Sequence, residues 1–294
     1  ERGNVPIEHY LSDQWYMKMD SFAKPALDAI STGEIKFHPE HWVKTYNHWI
    51  ENIKDWCISR QLIWGHQIPV WYHKDDRKEV HVSIEGPDDP ENWVRENDVL
   101  DTWASSWLWS FAVHSWPKKD KNLETFYPTD TLVTGPDIIF FWVARMIMAG
   151  SKFLEKAPFK DVYFTSILRD KNGKKFSKSL GNSPDPFTLF EEYGTDAVRF
   201  STMLMSPQGL DVLFSNERLE IGRNFMNKLW NASRFVRMNV DNEILDQVEP
   251  EVKDLPLEER WILNQLSKTT HEFNKCIEDF KFNEAAKIIY EFTW

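Results

Sequence analysis

With only two cysteines in 294 residues, Cys57 and Cys276, far apart and in no Cys-x-x-Cys pair, neither a disulfide framework nor a cysteine-based zinc site is expected. A reducing, cytoplasmic compartment fits best. No apolar run approaches the ~20 residues that a membrane helix requires. The longest, Ile138 to Ala144, is stopped by Arg145, so no membrane span is expected. The nine histidines form no ligand grouping; His38 and His41 stand three apart without a thiolate or carboxylate pattern, and no metal site follows. Positive charge is also scarce. A net charge of −11 excludes a general nucleic-acid coat, although a partner that meets one basic patch stays possible. Internal repeats and low-complexity tracts are absent.

A hydrophobic content of 41% supports one large or two modest domains, and most of the fifteen tryptophans are expected to be structural. Residue 1 is Glu, no signal-like segment follows it, and Trp294 falls inside a helical pattern, so the chain reads as a piece of a longer protein. Residues 1–50 form a connecting layer with a helix over Asp20–Ile30, ended by Ser31-Thr32-Gly33. Gly65 to Tyr72 reads as a turn feeding a strand, and the polar stretch from Asp75 to Asn97 as an exposed insertion. Thr131–Thr134 is a β-branched run that opens at Gly135-Pro136-Asp137 into an apolar helix through Ala149, with Gly150 as a left-handed stop. Val162–Leu168 supplies another strand. Beyond Pro186 the period is helical, with starts at Asp185-Pro186 and Thr195-Asp196 and a break at Gly194. Ile262, Leu266, Thr269, Phe273, Cys276 and Phe280 form one stripe of a packed bundle. An α/β domain is therefore followed by a helical one.

Against the acidic background, Asn172-Gly173-Lys174-Lys175-Phe176-Ser177-Lys178-Ser179-Leu180-Gly181 puts three lysines and two hydroxyls on one glycine-bounded loop. From Arg169 to Lys178, five basic residues oppose one acid, a local charge of +4. Ammonium groups can follow charge onto departing phosphate oxygens, while hydroxyls and backbone N–H groups complete a cradle. A solvated lysine turn would have the same composition. The loop follows the Val162–Leu168 strand, and ligands of open parallel sheets gather at strand carboxyl ends. Asp137, after Gly135, can accept hydrogen bonds from a vicinal diol where the glycine lets a ligand approach the backbone; it can equally be a helix-start carboxylate complementing the macrodipole.

Lys175-Phe176-Ser177-Lys178-Ser179 resembles the Lys-Met-Ser-Lys-Ser signature of class I aminoacyl-tRNA synthetases, with one apolar anchor exchanged for another. Gly135-x-Asp137 resembles the second-half nucleotide motif of the same family. Asp98 to Ser106 and Val133 to Met146 are similar to the valine-specific branch. Asp55–Gln61 with Trp64–Pro69 is similar to a block shared by the valine, isoleucine and leucine enzymes, and Tyr193–Phe200 and Gly222–Asn231 to the segments leading into the helical domain. Ala104, Trp107 and Ser110 depart from the usual family residues.

The resemblance implies an α/β fold: the C-terminal half of a class I synthetase Rossmann-like nucleotide-binding domain, followed by an all-α helical bundle. The implied boundaries are 1–50 for the connecting segment, 51–175 for the second half of the catalytic domain, 176–214 for the signature loop and stem-contact linker, and 215–294 for the start of the anticodon-binding bundle. It implies ATP-dependent activation of valine and its transfer to tRNA(Val), with Mg2+ accompanying ATP and a monomeric enzyme. Lys175 and Lys178 would be catalytic. Gly135, Asp137, Ser177 and Ser179 would join them in binding ATP. Trp103, Ile138 and Trp142 would line the valine site; Ile138 and Trp142, four apart, would share one helix face. Arg223, Asn227 and Lys228 would meet tRNA, or would cap and solvate a helix. The first ATP motif and the editing domain are missing from this stretch, so it is expected neither to act alone nor to edit, although an apolar valine pocket rejects threonine poorly, a limit that valine enzymes themselves illustrate. The alternatives are an isoleucyl- or leucyl-tRNA synthetase and a non-catalytic tRNA-binding module of the same fold. Those readings need the lysine hairpin and the Gly135–Asp137 corner at one rim of a parallel sheet.

Overall fold

The computed structural model describes residues 5–118, 120–177, 180–240 and 251–294. Two compact units divide the chain, Glu1–Leu132 with Asp137–Val162 and Val133–Pro136 with Tyr163–Trp294. Among the described residues no helix is long and apolar enough to cross a membrane.

In the first unit the helix Asp20–Ser31 has an acid in its first turn and is followed by Gly33 at φ +77°, as its sequence signals predict. Phe22, Ala26 and Ala29 recur at helical spacing, are buried, and face the helix Arg145–Phe153. Tryptophan at 107 is the hub of this core, with Phe22, Trp56 and Phe153 rings at 5.8, 5.5 and 5.6 Å. Of the fifteen tryptophans, only Trp56 and Trp107 are buried. The rest sit at least partly in solvent, so fewer of them than expected fill the interior.

The polar stretch after Tyr72 is more ordered than an exposed insertion. Val70–His73 is the central strand of a three-stranded antiparallel sheet, flanked by Val80–Val82 and Trp93–Arg95. A second sheet has the order Lys36–His38, Phe159–Phe164, Thr129–Thr134. Thr129 N–H donates to the Pro158 carbonyl, and Thr165 N–H donates to the Thr134 carbonyl, so the last two strands run in the same direction.

The apolar run after Thr134 is not one α-helix. Pro136–Ile138 is a 3₁₀ turn, Ile139–Ala144 a π-helical turn, and Arg145–Phe153 an α-helix. Gly150 does not stop this helix and does not adopt positive φ; it lies inside the last two turns. A Cβ there would meet the Tyr127 hydroxyl at 2.6 Å and the Lys156 carbonyl at 3.0 Å, so close packing explains the glycine.

The second unit is mostly helical, and its starts and stops follow the sequence. Asp185 accepts the N–H groups of Phe187 and Thr188, Pro186 takes the first helical position, and Gly194 at φ +91° separates the helices Pro186–Tyr193 and Thr195–Met205. Leu189, Ala197, Val198 and Leu219 are buried together. Phe225 of the helix Asn216–Asn239 links Phe200 to Tyr290, with ring centroids at 4.8 and 5.1 Å. The helix Leu257–Glu278 lies against Phe282–Thr293; of the expected stripe Thr269, Phe273 and Cys276 are half-buried, whereas Ile262 and Leu266 are exposed and Gln265, off the stripe, is half-buried. Gly222 lets Asn216–Asn239 cross Thr195–Met205 closely: a Cβ would meet the Ala197 carbonyl oxygen at 2.4 Å and Ser201 Oγ at 2.2 Å. Gly222→Ala should therefore destabilise the protein by about 2 kcal/mol, within the range for overpacking. Urea denaturation measures this, and a loss below ~0.5 kcal/mol would show that the crossing yields.

Candidate functional site

In the first unit a cavity of about 460 Å³ opens between the Thr102–Ser106 helix and the π-helical turn. Its walls are aromatic pairs: Trp103 stacks on Phe141 at 5.9 Å, and Trp49 on Phe140 at 4.6 Å. Trp103 lines the cavity, whereas Ile138 and Trp142 are not among its lining residues. The π turn changes which side chains share a face. Trp142 directs its indole N–H to the Ser106 carbonyl at 3.0 Å and so fastens the turn to the end of the Trp103 helix.

Beneath these rings Asp101 gathers three donors. Its carboxylate accepts the Trp56 indole N–H at 3.2 Å and lies 3.2 Å from Arg60 and 3.6 Å from Arg145. Arg145 is 6% exposed, and its guanidinium carbon stands 3.7 Å from the Trp56 ring centroid. The buried Nη1 of this arginine makes no hydrogen bond. Burial pulls Arg145 down from the usual arginine range to about 10; Asp101 opposes that shift and Arg60 adds to it. Sequence reading used Arg145 only as the end of an apolar run and passed over Asp101. A lone cation inside such a run, with an acid just ahead of a tryptophan helix, was the available signal.

Gly135 follows the strand Thr129–Thr134, and Asp137 lies in the 3₁₀ turn, where it is exposed. In the second unit Leu168–Arg169 pairs in parallel with Val212–Leu213, and the lysine loop leaves its carboxyl end. The loop begins as a hairpin: Gly173 takes φ +77°, and Arg169 bridges Lys175 antiparallel. Phe176 packs edge-on against Phe214 at 5.9 Å, an apolar anchor for the loop. Lys174 and Lys175 are exposed, Ser177 is half-buried, and Lys178 and Ser179 fall outside the described residues. Asn182, which sequence reading did not single out, accepts the Ser177 N–H at 2.9 Å.

The residues considered for tRNA have local partners. Arg223 pairs with Glu220 at 2.6 Å and stands over the Tyr193 ring, and Lys228 lies 3.7 Å from the Trp294 ring centroid. Asn227 is exposed.

A family model described as tRNA synthetases class I (I, L, M and V) matches residues 7–89 and 79–215. The chain belongs to this family. A second model, the anticodon-binding domain of tRNA ligase, matches residues 259–294. Over 100% of the chain, the valine–tRNA ligase of Chlorobaculum tepidum is 50% identical and that of Clostridium tetani 48%. The chain spans about a third of their length, 34% in each case. Among solved structures, Mycobacterium tuberculosis methionyl-tRNA synthetase in complex with methionyl-adenylate has the same fold, with a TM-score of 0.72 at 19% identity over 95% of this chain and 51% of that one.

Removing the buried cation strands its carboxylate. Arg145→Met should cost about 3 kcal/mol, as breaking one side of a buried pair does. Asp101→Asn with Arg145→Met should cost less than the sum of the single changes, a coupling of at least ~1 kcal/mol. Chemical denaturation of the four proteins reads the cycle, and strict additivity would rule out the pairing.

Proposed function

We propose that this chain is the part of a valine–tRNA ligase that holds leaving pyrophosphate and the adenylate ribose. The observation that carries the reading is its likeness to valine–tRNA ligases along its whole length. Residues 51–175 form the second half of the nucleotide-binding domain, 176–214 the signature loop and linker, and 215–294 the beginning of the anticodon-binding bundle.

Valine's carboxylate oxygen attacks the α-phosphorus of ATP; the bond from that phosphorus to the bridging oxygen breaks, and pyrophosphate departs with the electron pair. A terminal ribose hydroxyl of tRNA(Val) then attacks the adenylate carbonyl, losing its proton, and AMP leaves. Position and charge stabilisation supply most of the acceleration. Lys175 and Lys178 neutralise the departing phosphates, with Ser177 and Ser179 as hydroxyl donors. Asp137 accepts from the ribose diol, and Gly135 leaves room for it. Mg2+ enters with ATP as part of the substrate, held by phosphate oxygens and water. Trp103 meets the valine side chain in the aromatic cavity, and Ile138 and Trp142 act from behind its wall, Trp142 by fastening the π turn to Ser106. Arg223, Asn227 and Lys228 present a polar helix face to tRNA. The enzyme works as a cytoplasmic monomer.

In the full-length ligase Lys175→Ala and Lys178→Ala should each slow valine-dependent ATP–pyrophosphate exchange by about 10²-fold, the scale of one lost charge-stabilising donor. Valine binding should change far less. Exchange at a near-normal rate would refute the lysines' role.

A further inference from the structure

We infer that Asn182 and Asp170 form a polar clip that sets the position of the lysine loop, making both of them positioning residues for adenylate formation. This deepens the reading of Lys175 given above and rests on it.

The clip is built from five hydrogen bonds. Asn182 Oδ1 accepts the Ser177 N–H at 2.9 Å, while its Nδ2 donates to Asp170 Oδ2 at 2.9 Å and to the Lys175 carbonyl at 3.3 Å. One carboxamide therefore holds the backbone on both sides of Phe176. The other carboxylate oxygen, Asp170 Oδ1, accepts the N–H groups of Asn172 and Lys174, each at 2.9 Å. Asp170 thus fixes the turn ahead of Lys175, Asn182 fixes the chain after it, and the two side chains join each other across 12 residues. The Asn182 amide first, and the Lys174 N–H next, hold the Asp170 carboxyl below its usual range.

The clip also stands on a fixed base. Arg169 forms an ion pair with Asp211 and donates to the Gly173 carbonyl at 3.2 Å. The Arg169 carbonyl accepts the Phe214 N–H at 2.8 Å, which ties the hairpin to the parallel strand pair. Lysine stems are long and rotamer-rich, so aiming an ammonium at a developing charge depends on where the backbone starts. Misplacement by about 1 Å can cost about 10²-fold in rate.

The test uses the full-length ligase. Asn182→Ala should lower kcat for valine-dependent ATP–pyrophosphate exchange by at least ~10-fold, as expected for a misplaced catalytic group, with valine affinity and denaturation midpoint unchanged. Asp170→Asn sets two amide donors face to face and should also slow exchange. Asp170→Asn combined with Asn182→Asp reverses the polarity: the introduced amide at 170 can donate to the introduced carboxylate at 182, which still accepts from Ser177 but no longer donates to the Lys175 carbonyl. The reversed pair should recover part of the lost rate and exceed both single variants, a rescue that mere tolerance of the loop would not give. A normal kcat for Asn182→Ala beside a slow Lys175→Ala would overturn the clip alone. Normal rates for both would overturn the clip together with the role of Lys175. Failure of the reversed pair to exceed either single variant would also overturn it.

Discussion

The first unit depends on one buried carboxylate. Asp101 ends a short strand, precedes the helix that presents Trp103, and receives the Trp56 indole, Arg60 and Arg145. A buried charge is tolerated only with compensating partners, and here they come from two parts of the chain, Trp56 and Arg60 from one segment and Arg145 from another. Arg145 opens the helix that follows the π turn, so the same pair that neutralises Asp101 ties the turn's two phenylalanines to the tryptophan helix. The cavity walls follow from that electrostatic constraint more than from local helical preference.

The second unit solves a different problem with short-range polar contacts. A loop rich in like charges repels itself and gains little from burial. Its backbone is held by side chains that mimic secondary-structure partners: Asp170 for the turn and Asn182 for the segment after Lys175. A hairpin start, one phenylalanine anchor and a strand pair complete the support. The Lys174 and Lys175 side chains are exposed, and the order lies in the backbone that bears them.

The helix boundaries on either side of Gly194 were legible because their signals are local. Asp185-Pro186 and Gly194 act through caps and φ preferences that need no distant partner. The π turn was not legible, since Ile139 to Ala144 is apolar throughout and a uniform run carries no period to tell 3.6 residues per turn from a wider turn. Gly150 looked like a terminator, yet its smallness serves Tyr127 and Lys156, contacts invisible in a linear reading. The three-stranded Val70–Arg95 sheet was masked by its Gly-Pro and Asp-Pro breaks, which lie between strands. The lysine loop was legible by composition, whereas its clip spans 12 residues and needed coordinates.

The contact at Gly222 has a mechanical corollary. At Gly222 itself the two helix backbones come close with only the Ser201 hydroxyl and the Ala197 carbonyl at the crossing, while Phe200 and Phe225 pack beside it. Sliding or rolling of the 24-residue helix Asn216–Asn239 over Thr195–Met205 therefore meets a steric stop at that one crossing, so the register of the two helices is set there.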